Sequence, residues 1–164
     1  MAYAGSEDGV HVWRSTASWS GSTGAGYEAY GRAHRVTSRP STAELELAND
    51  PSLGGDAALL DPEQLVLLAA SSCQLLSFLA VAARARVDVR EYEDQGEARM
   101  ASDAPPRLAS ITLRPRIAAV GATAERIAHW TEVAHRQCYI SNSLSTPVTV
   151  EPEVVILDEV GSAR

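Results

Sequence analysis

The chain contains no lysine. All fourteen of its basic residues are arginine, against twenty-one acidic ones, giving a net charge of −7 and a pI near 5.0. That balance excludes a sequence-independent grip on nucleic acid or on an anionic membrane. The exclusive use of arginine reads as a compositional bias of the surface and not as a site. Cysteine is scarce too: two in 164 residues, too few for a disulfide framework. The opening "MAYAGSEDGVHVW" has neither a basic start nor an apolar core, so no secretion signal is expected and a cytoplasmic location is. In such a compartment two thiols are expected to be free, catalytic or redox-cycling. "GSTGAG" at 21–26 lacks the lysine-serine ending of a phosphate loop and has no helix after it, so it reads as a turn. Repeats and low-complexity tracts are absent.

What is present is an ordinary globular composition, 45% hydrophobic and 21% charged in 17.4 kDa. One domain over 1–164 is expected, with an ordered core from about 10 to 156 and frayed ends at 1–8 and 158–164. Residues 10–20 are rich in strand formers, with Trp13 and Trp19 on one parity. Residues 27–38 and 42–48 predict a second and a third strand, the third closed by Asn49-Asp50-Pro51 and a glycine pair. Asp61-Pro62-Glu63-Gln64 is a helix start: Asp61 caps, Pro62 suits the first turn, and Gln64 completes a capping box. That helix should run to about Arg86, its arginines placed at the negative end. Val87 to Met100 and Leu108 to Val120 predict a hairpin, the second strand marked as an edge or a bend by Pro115. Thr123 to Cys138 predicts a second helix capped by Thr123, and "TPVTVEPEVVIL" a last strand. The order βββ-α-ββ-α-β, with strands clustered, defines an α+β fold with largely antiparallel sheet.

Within the first helix, Leu65 to Ala83 carries no charge and meets the length of a membrane span. Ser71, Ser72, Gln74 and Ser77 interrupt it. The better reading is a helix buried on every side, in a core or between subunits, with no membrane partner. Cys73 lies in the middle of this run. Free cysteine is commonly plain core filler. Cys138, however, ends the second helix, and two helix-borne cysteines can face one another across a helix–helix contact. A reactive thiol must be ionised, and burial opposes that. Cys73 is too deep in its helix to use the N-terminal dipole, and the helix offers no cation before Arg84. An arginine must therefore come from elsewhere, with a carboxylate to make its burial tolerable; Glu63 is the candidate. Ten residues of straight helix separate Glu63 from Cys73 by about 15 Å. Either the first turn is kinked away, or a second copy lies antiparallel and brings its own Glu63. The all-round apolar helix favours the second option, an intertwined homodimer.

These stretches resemble the OsmC/Ohr family (osmotically inducible protein C and organic hydroperoxide resistance protein). "DPEQLVLLAASSCQ" is similar to that family's proline-glutamate helix leading to a cysteine. "AHRQCYISNS" is similar to its second cysteine segment, and "YGRAHRV" falls where the family carries an arginine. The resemblance spans about residues 10 to 156. It implies an OsmC-like fold, an intertwined homodimer and a thiol peroxidase. Cys73 would attack an organic hydroperoxide, leaving a sulfenic acid, and Cys138 would condense with it to a disulfide. Arg32 would stabilise the thiolate, with Arg35 as its rival, and Glu63 would hold the arginine. No metal or flavin cofactor is implied, and an external dithiol, often lipoyl, would recycle the pair. Tyr139 stands where members committed to organic hydroperoxides usually have proline.

Two other classes remain open. Cys73, Cys138, His129 and His135 offer zinc donors, but without the short paired spacing of structural zinc sites. A non-enzymatic relative would keep the fold and bind an apolar ligand, with Trp13, Trp19, Tyr27 and Tyr30 as candidate lining.

Overall fold

The computed structural model describes residues 6–7 and 10–158. They fall into two compact units, Met1–Leu65 and Val66–Arg164. The predicted frayed segments lie mostly outside the described residues. Within 6–11, β1 (Ser6–Glu7) and β2 (Val10–His11) form a short antiparallel ladder.

The first unit is built on an antiparallel sheet of β3 (Arg14–Ser18), β4 (His34–Arg39) and β5 (Glu44–Leu47), in the order β3-β4-β5. The second strand is shorter than its sequence predicts. Residues 27–33 are turn and coil, because Gly26 takes φ 97 and its carbonyl accepts from Ala29 N (3.1 Å). Arg32 therefore precedes the sheet. Trp13 and Trp19 flank β3 and are exposed. Leu47 and Ala48 are buried, and the chain returns at Leu60 to bridge Leu47 in parallel. A short 3-10 turn at Pro51–Leu53 ends at Gly54, whose φ of 79 suits glycine. At Gly55 any Cβ would collide with the Asn49 carbonyl.

The long helix α1 runs from Pro62 to Arg84. Its capping box forms as read: Gln64 N donates to Asp61 Oδ1 (2.7 Å), and Asp61 N donates to Gln64 Oε1 (3.0 Å). Arg86, in the left-handed region at φ 54, turns the chain out, and Val87 N closes back on Ala82 O (2.9 Å). By length and composition α1 could cross a membrane, with mean hydropathy 2.1 in its most apolar window, 28% of which is buried within the chain.

In the second unit each long predicted strand is divided. Val87–Met100 becomes β6 (Asp88–Asp94) and β7 (Glu97–Met100); Leu108–Val120 becomes β8 (Leu108–Leu113) and β9 (Pro115–Val120). The last strand becomes β10 (Val148–Val150) and β11 (Glu153–Leu157). Two three-stranded sheets result, β10-β8-β7 and β11-β9-β6. The outer partners β10 and β11 run parallel to β8 and β9, so the sheets are mixed. Pro115 does not mark an edge: β9 is central, and the proline is buried at its first position, where no ladder donor is needed. The switch leaves the Arg114 backbone N–H without a ladder partner, and Asp94 Oδ1 accepts it at 2.7 Å.

Helix α2 (Ala124–Arg136) is capped by Thr123, which accepts from Arg126 N (3.3 Å). Glu125 in its first turn is held below the usual carboxylate pKa by its own backbone N–H and the Thr123 hydroxyl. The helix stops before Cys138, which instead caps a five-residue helix α3 (Tyr139–Ser143). Phe78, Val81 and Ala82 of α1 pack with Ile117, Ala119, Ile127 and Ala134. A second cluster joins Ala70 to Ile111 and Leu113.

Removing the cap as Asp61→Ala should lower stability by about 1 kcal/mol, read as an earlier urea midpoint with unchanged m-value. An unchanged midpoint would show that the box contributes nothing.

Candidate active site

Cys73 is the twelfth residue of α1, one position before Gln74. Gln74 is fully buried and donates from Nε2 to Thr131 O of α2 (3.3 Å). Successive helix residues diverge by about 100°. With Gln74 turned into the core, Cys73 falls at the margin of the contact, half-buried. There it lines a groove of about 660 Å³ with Leu76, Arg84, Gln137 and Tyr139.

Cys138 is fully buried in the break between α2 and α3. Both cysteines are free thiols, and they are neighbours, the Cys73 sulfur within hydrogen-bonding reach of Cys138. Burial pushes the Cys138 thiol up, the hydroxyl and N–H of Ser141 oppose that, and Cys73 adds to the rise. Ser141 Oγ is buried and closes no well-formed hydrogen bond. Tyr92 of β6 lies within electrostatic reach of Cys138. Its phenol is pushed up by burial first, then by Asp94 and Cys138, and its hydroxyl is buried without a partner. Asp94 in turn accepts from Ser71 Oγ of α1.

The remaining predicted residues lie in the first unit. Arg32 is half-buried. Its guanidinium sits 4.6 Å from the Tyr27 ring centroid and 4.4 Å from that of Tyr30, a cation–π arrangement. It donates to Tyr30 O (2.9 Å) and Tyr27 O (2.7 Å), while Nε is buried and unpartnered. With Trp19, His34 and Asn49 it lines a pocket of about 310 Å³. Arg35 is exposed on β4 and pairs with Glu44 (3.6 Å). Glu63 is exposed in the first turn of α1. Among the described residues no ion pair joins Arg32 to Glu63. Among them, too, no group of three or more His, Cys, Asp or Glu is placed to hold a metal ion.

Sequence reading missed Gln74 as a clamp and Tyr92 altogether. A polar residue inside an apolar run signals Gln74; Tyr92 has no comparable mark.

This thiol pair on an α+β frame with two mixed sheets is the architecture of a known class. The model of the family described as OsmC-like protein matches residues 54–153, and the chain belongs to that family. Among solved structures, an OsmC-like protein of unknown function from Vibrio cholerae superposes with a TM-score of 0.79. It shares 24% identity, and the match covers 88% of this chain and 100% of that one. An organic hydroperoxide resistance protein from Elizabethkingia anophelis gives 0.68 at 21% identity, covering 92% and 100%. An organic hydroperoxide resistance protein OsmC from Legionella pneumophila gives 0.65 at 19%, covering 88% and 97%. At these identities the likeness is one of fold. No curated protein matches.

The folded state holds the Cys138 proton more tightly than the unfolded chain. Its contribution to stability is therefore complete below the ordinary thiol pKa and is lost as pH rises through the raised one. In a Cys73→Ser variant, thiolate absorbance from Cys138 should appear only above about pH 8.5, the ordinary thiol value. Ionisation below that value would contradict the burial argument.

Proposed function

We propose that the protein is a cysteine-based peroxidase that reduces organic hydroperoxides in a reducing, cytoplasmic setting. The observation that carries this reading is the pairing of a groove-lining Cys73 with a buried neighbouring thiol, Cys138. A lone half-buried thiol that meets peroxide is exposed to irreversible over-oxidation. A second thiol at bonding reach converts the sulfenic acid into a recoverable disulfide. Membership of a family whose structural neighbours include organic hydroperoxide resistance proteins supports the same chemistry.

In this reading the Cys73 thiolate attacks the distal peroxide oxygen, the O–O bond breaks, and the alkoxide leaves as the alcohol after protonation. Cys138 displaces hydroxide from the sulfenic sulfur, which departs as water. An external dithiol restores both thiols. Arg32 supplies the cation that favours the Cys73 thiolate and the developing oxyanion, and Glu63 is the carboxylate that orients it. Arg32 fits the role better than Arg35: it is half-buried with an unused donor, whereas Arg35 is exposed and already paired. The groove is apolar along Ala69, Leu76 and Ala80, which suits an organic peroxide over hydrogen peroxide.

The chain also carries apolar residues open to solvent, Leu68 and Leu76 on α1 and Tyr139 beside Cys138. A second copy laid antiparallel along α1 would cover that helix and bring a second Glu63. Sedimentation should report twice the 17.4 kDa chain mass, and Leu76→Glu should yield the monomer. A wild-type monomer would remove the dimer from the account.

Peroxide consumption with dihydrolipoamide should be abolished by Cys73→Ser. It should fall on the order of 100-fold in Arg32→Ala, the scale of losing one oxyanion donor, and little in Arg35→Ala. Full activity in Arg32→Ala would reassign the cation. No consumption by the wild type would favour a non-enzymatic ligand binder.

A further inference from the structure

Once oxidised, the pair must be reduced, and its two sulfurs are not equally open to an incoming thiol. Cys138 is fully buried, while Cys73 is half-buried and faces the groove beside Leu76, Arg84 and Gln137. Exchange requires the attacking thiolate to reach one sulfur of the disulfide while the other departs as the leaving group. A reductant in the groove meets Cys73. To reach Cys138 it would have to pass through packed protein.

The departing sulfur would then be Cys138, in surroundings that disfavour a bare thiolate. One buried hydroxyl there closes no well-formed hydrogen bond, Ser141 Oγ, three residues on in the short helix that Cys138 opens. It acts on the Cys138 sulfur through its hydroxyl and N–H. Buried polar groups without partners call for an explanation, and a sulfur that gains charge for one step of the cycle supplies one.

Resting on the redox pair read above, we propose that the external dithiol attacks Sγ of Cys73 and that Ser141 is a positioning residue receiving the departing Cys138 sulfur. A reductant thiolate bonds to Cys73 Sγ. The Cys73–Cys138 bond breaks with its electron pair going to Cys138, which takes up a proton and returns to the buried thiol. The second reductant thiolate then attacks its own sulfur in the mixed disulfide and releases Cys73 as thiolate. The dithiol has lost two electrons and two protons. The protein disulfide has gained the electrons, one proton rests on Cys138, and the other passes to solvent.

The test sets the disulfide with diamide, so that it does not depend on peroxide chemistry. Oxidised protein is exposed briefly to limiting 2-mercaptoethanol, quenched in acid, alkylated in denaturant and cut with trypsin, which separates the two cysteines at Arg84 and Arg136. The adduct is expected on the Cys73 peptide, with Cys138 alkylated. An adduct on Cys138 overturns the proposal while leaving the redox pair intact. Failure of diamide to form the disulfide overturns the pair and the proposal together. Ser141→Ala should slow reduction of the disulfide severalfold more than it slows oxidation of the reduced protein by peroxide. Equal slowing of both steps, or of neither, overturns its positioning role.

Discussion

The hydrogen bond from Gln74 to the Thr131 carbonyl fixes how α1 is turned against α2, and the candidate chemistry depends on that orientation. It does not supply most of the stability. A net hydrogen bond contributes about 1 kcal/mol, whereas full burial of Phe78, one turn on, contributes roughly 1.5–3 kcal/mol. What the amide adds is direction. Apolar side chains pack over a range of rotations, but a buried amide meets one carbonyl. With Gln74 facing inward, Cys73 lies at the edge of the contact, open to the groove and beside Cys138.

That placement sets the electrostatics of the thiol pair. Cys138, fully buried, is pressed towards its neutral form. In the proposed reading the countering cation is Arg32. Two tyrosine faces and two carbonyls carry its charge, and one donor is unused. Gly54 closes in on the guanidinium so tightly that a Cβ there would come within 2.9 Å of it. Arg35 points to solvent with Glu44, where an exposed pair contributes little.

Local signals in the sequence were strong where they rested on the backbone. The capping box at Asp61 and Gln64 and the Thr123 cap form as the sequence predicts. The sheet switches were not legible. β6 runs into β7 through Gln95-Gly96, and β8 into β9 through Arg114, with alternation continuing on both sides, so periodicity alone reads one strand in each case. Only the tertiary pairing of Asp94 with the Arg114 N–H shows the break. The strand predicted over 27–38 includes Arg32, but the turn at Gly26 leaves 27–33 as turn and coil. The helix predicted over Thr123–Cys138 ends at Arg136: helical spacing continues past it, although the backbone does not. The two cysteines and their surrounding segments are legible in the sequence; the burial of Tyr92, set by tertiary packing, is not.

The account stands on two sulfurs acting as one redox unit, and intact-mass analysis after a single equivalent of cumene hydroperoxide tests that most directly. The expected product is lighter by two hydrogens, with a tryptic crosslink joining the Cys73 and Cys138 peptides. Unchanged mass, or sulfinic acid on Cys73 beside an untouched Cys138, would contradict it.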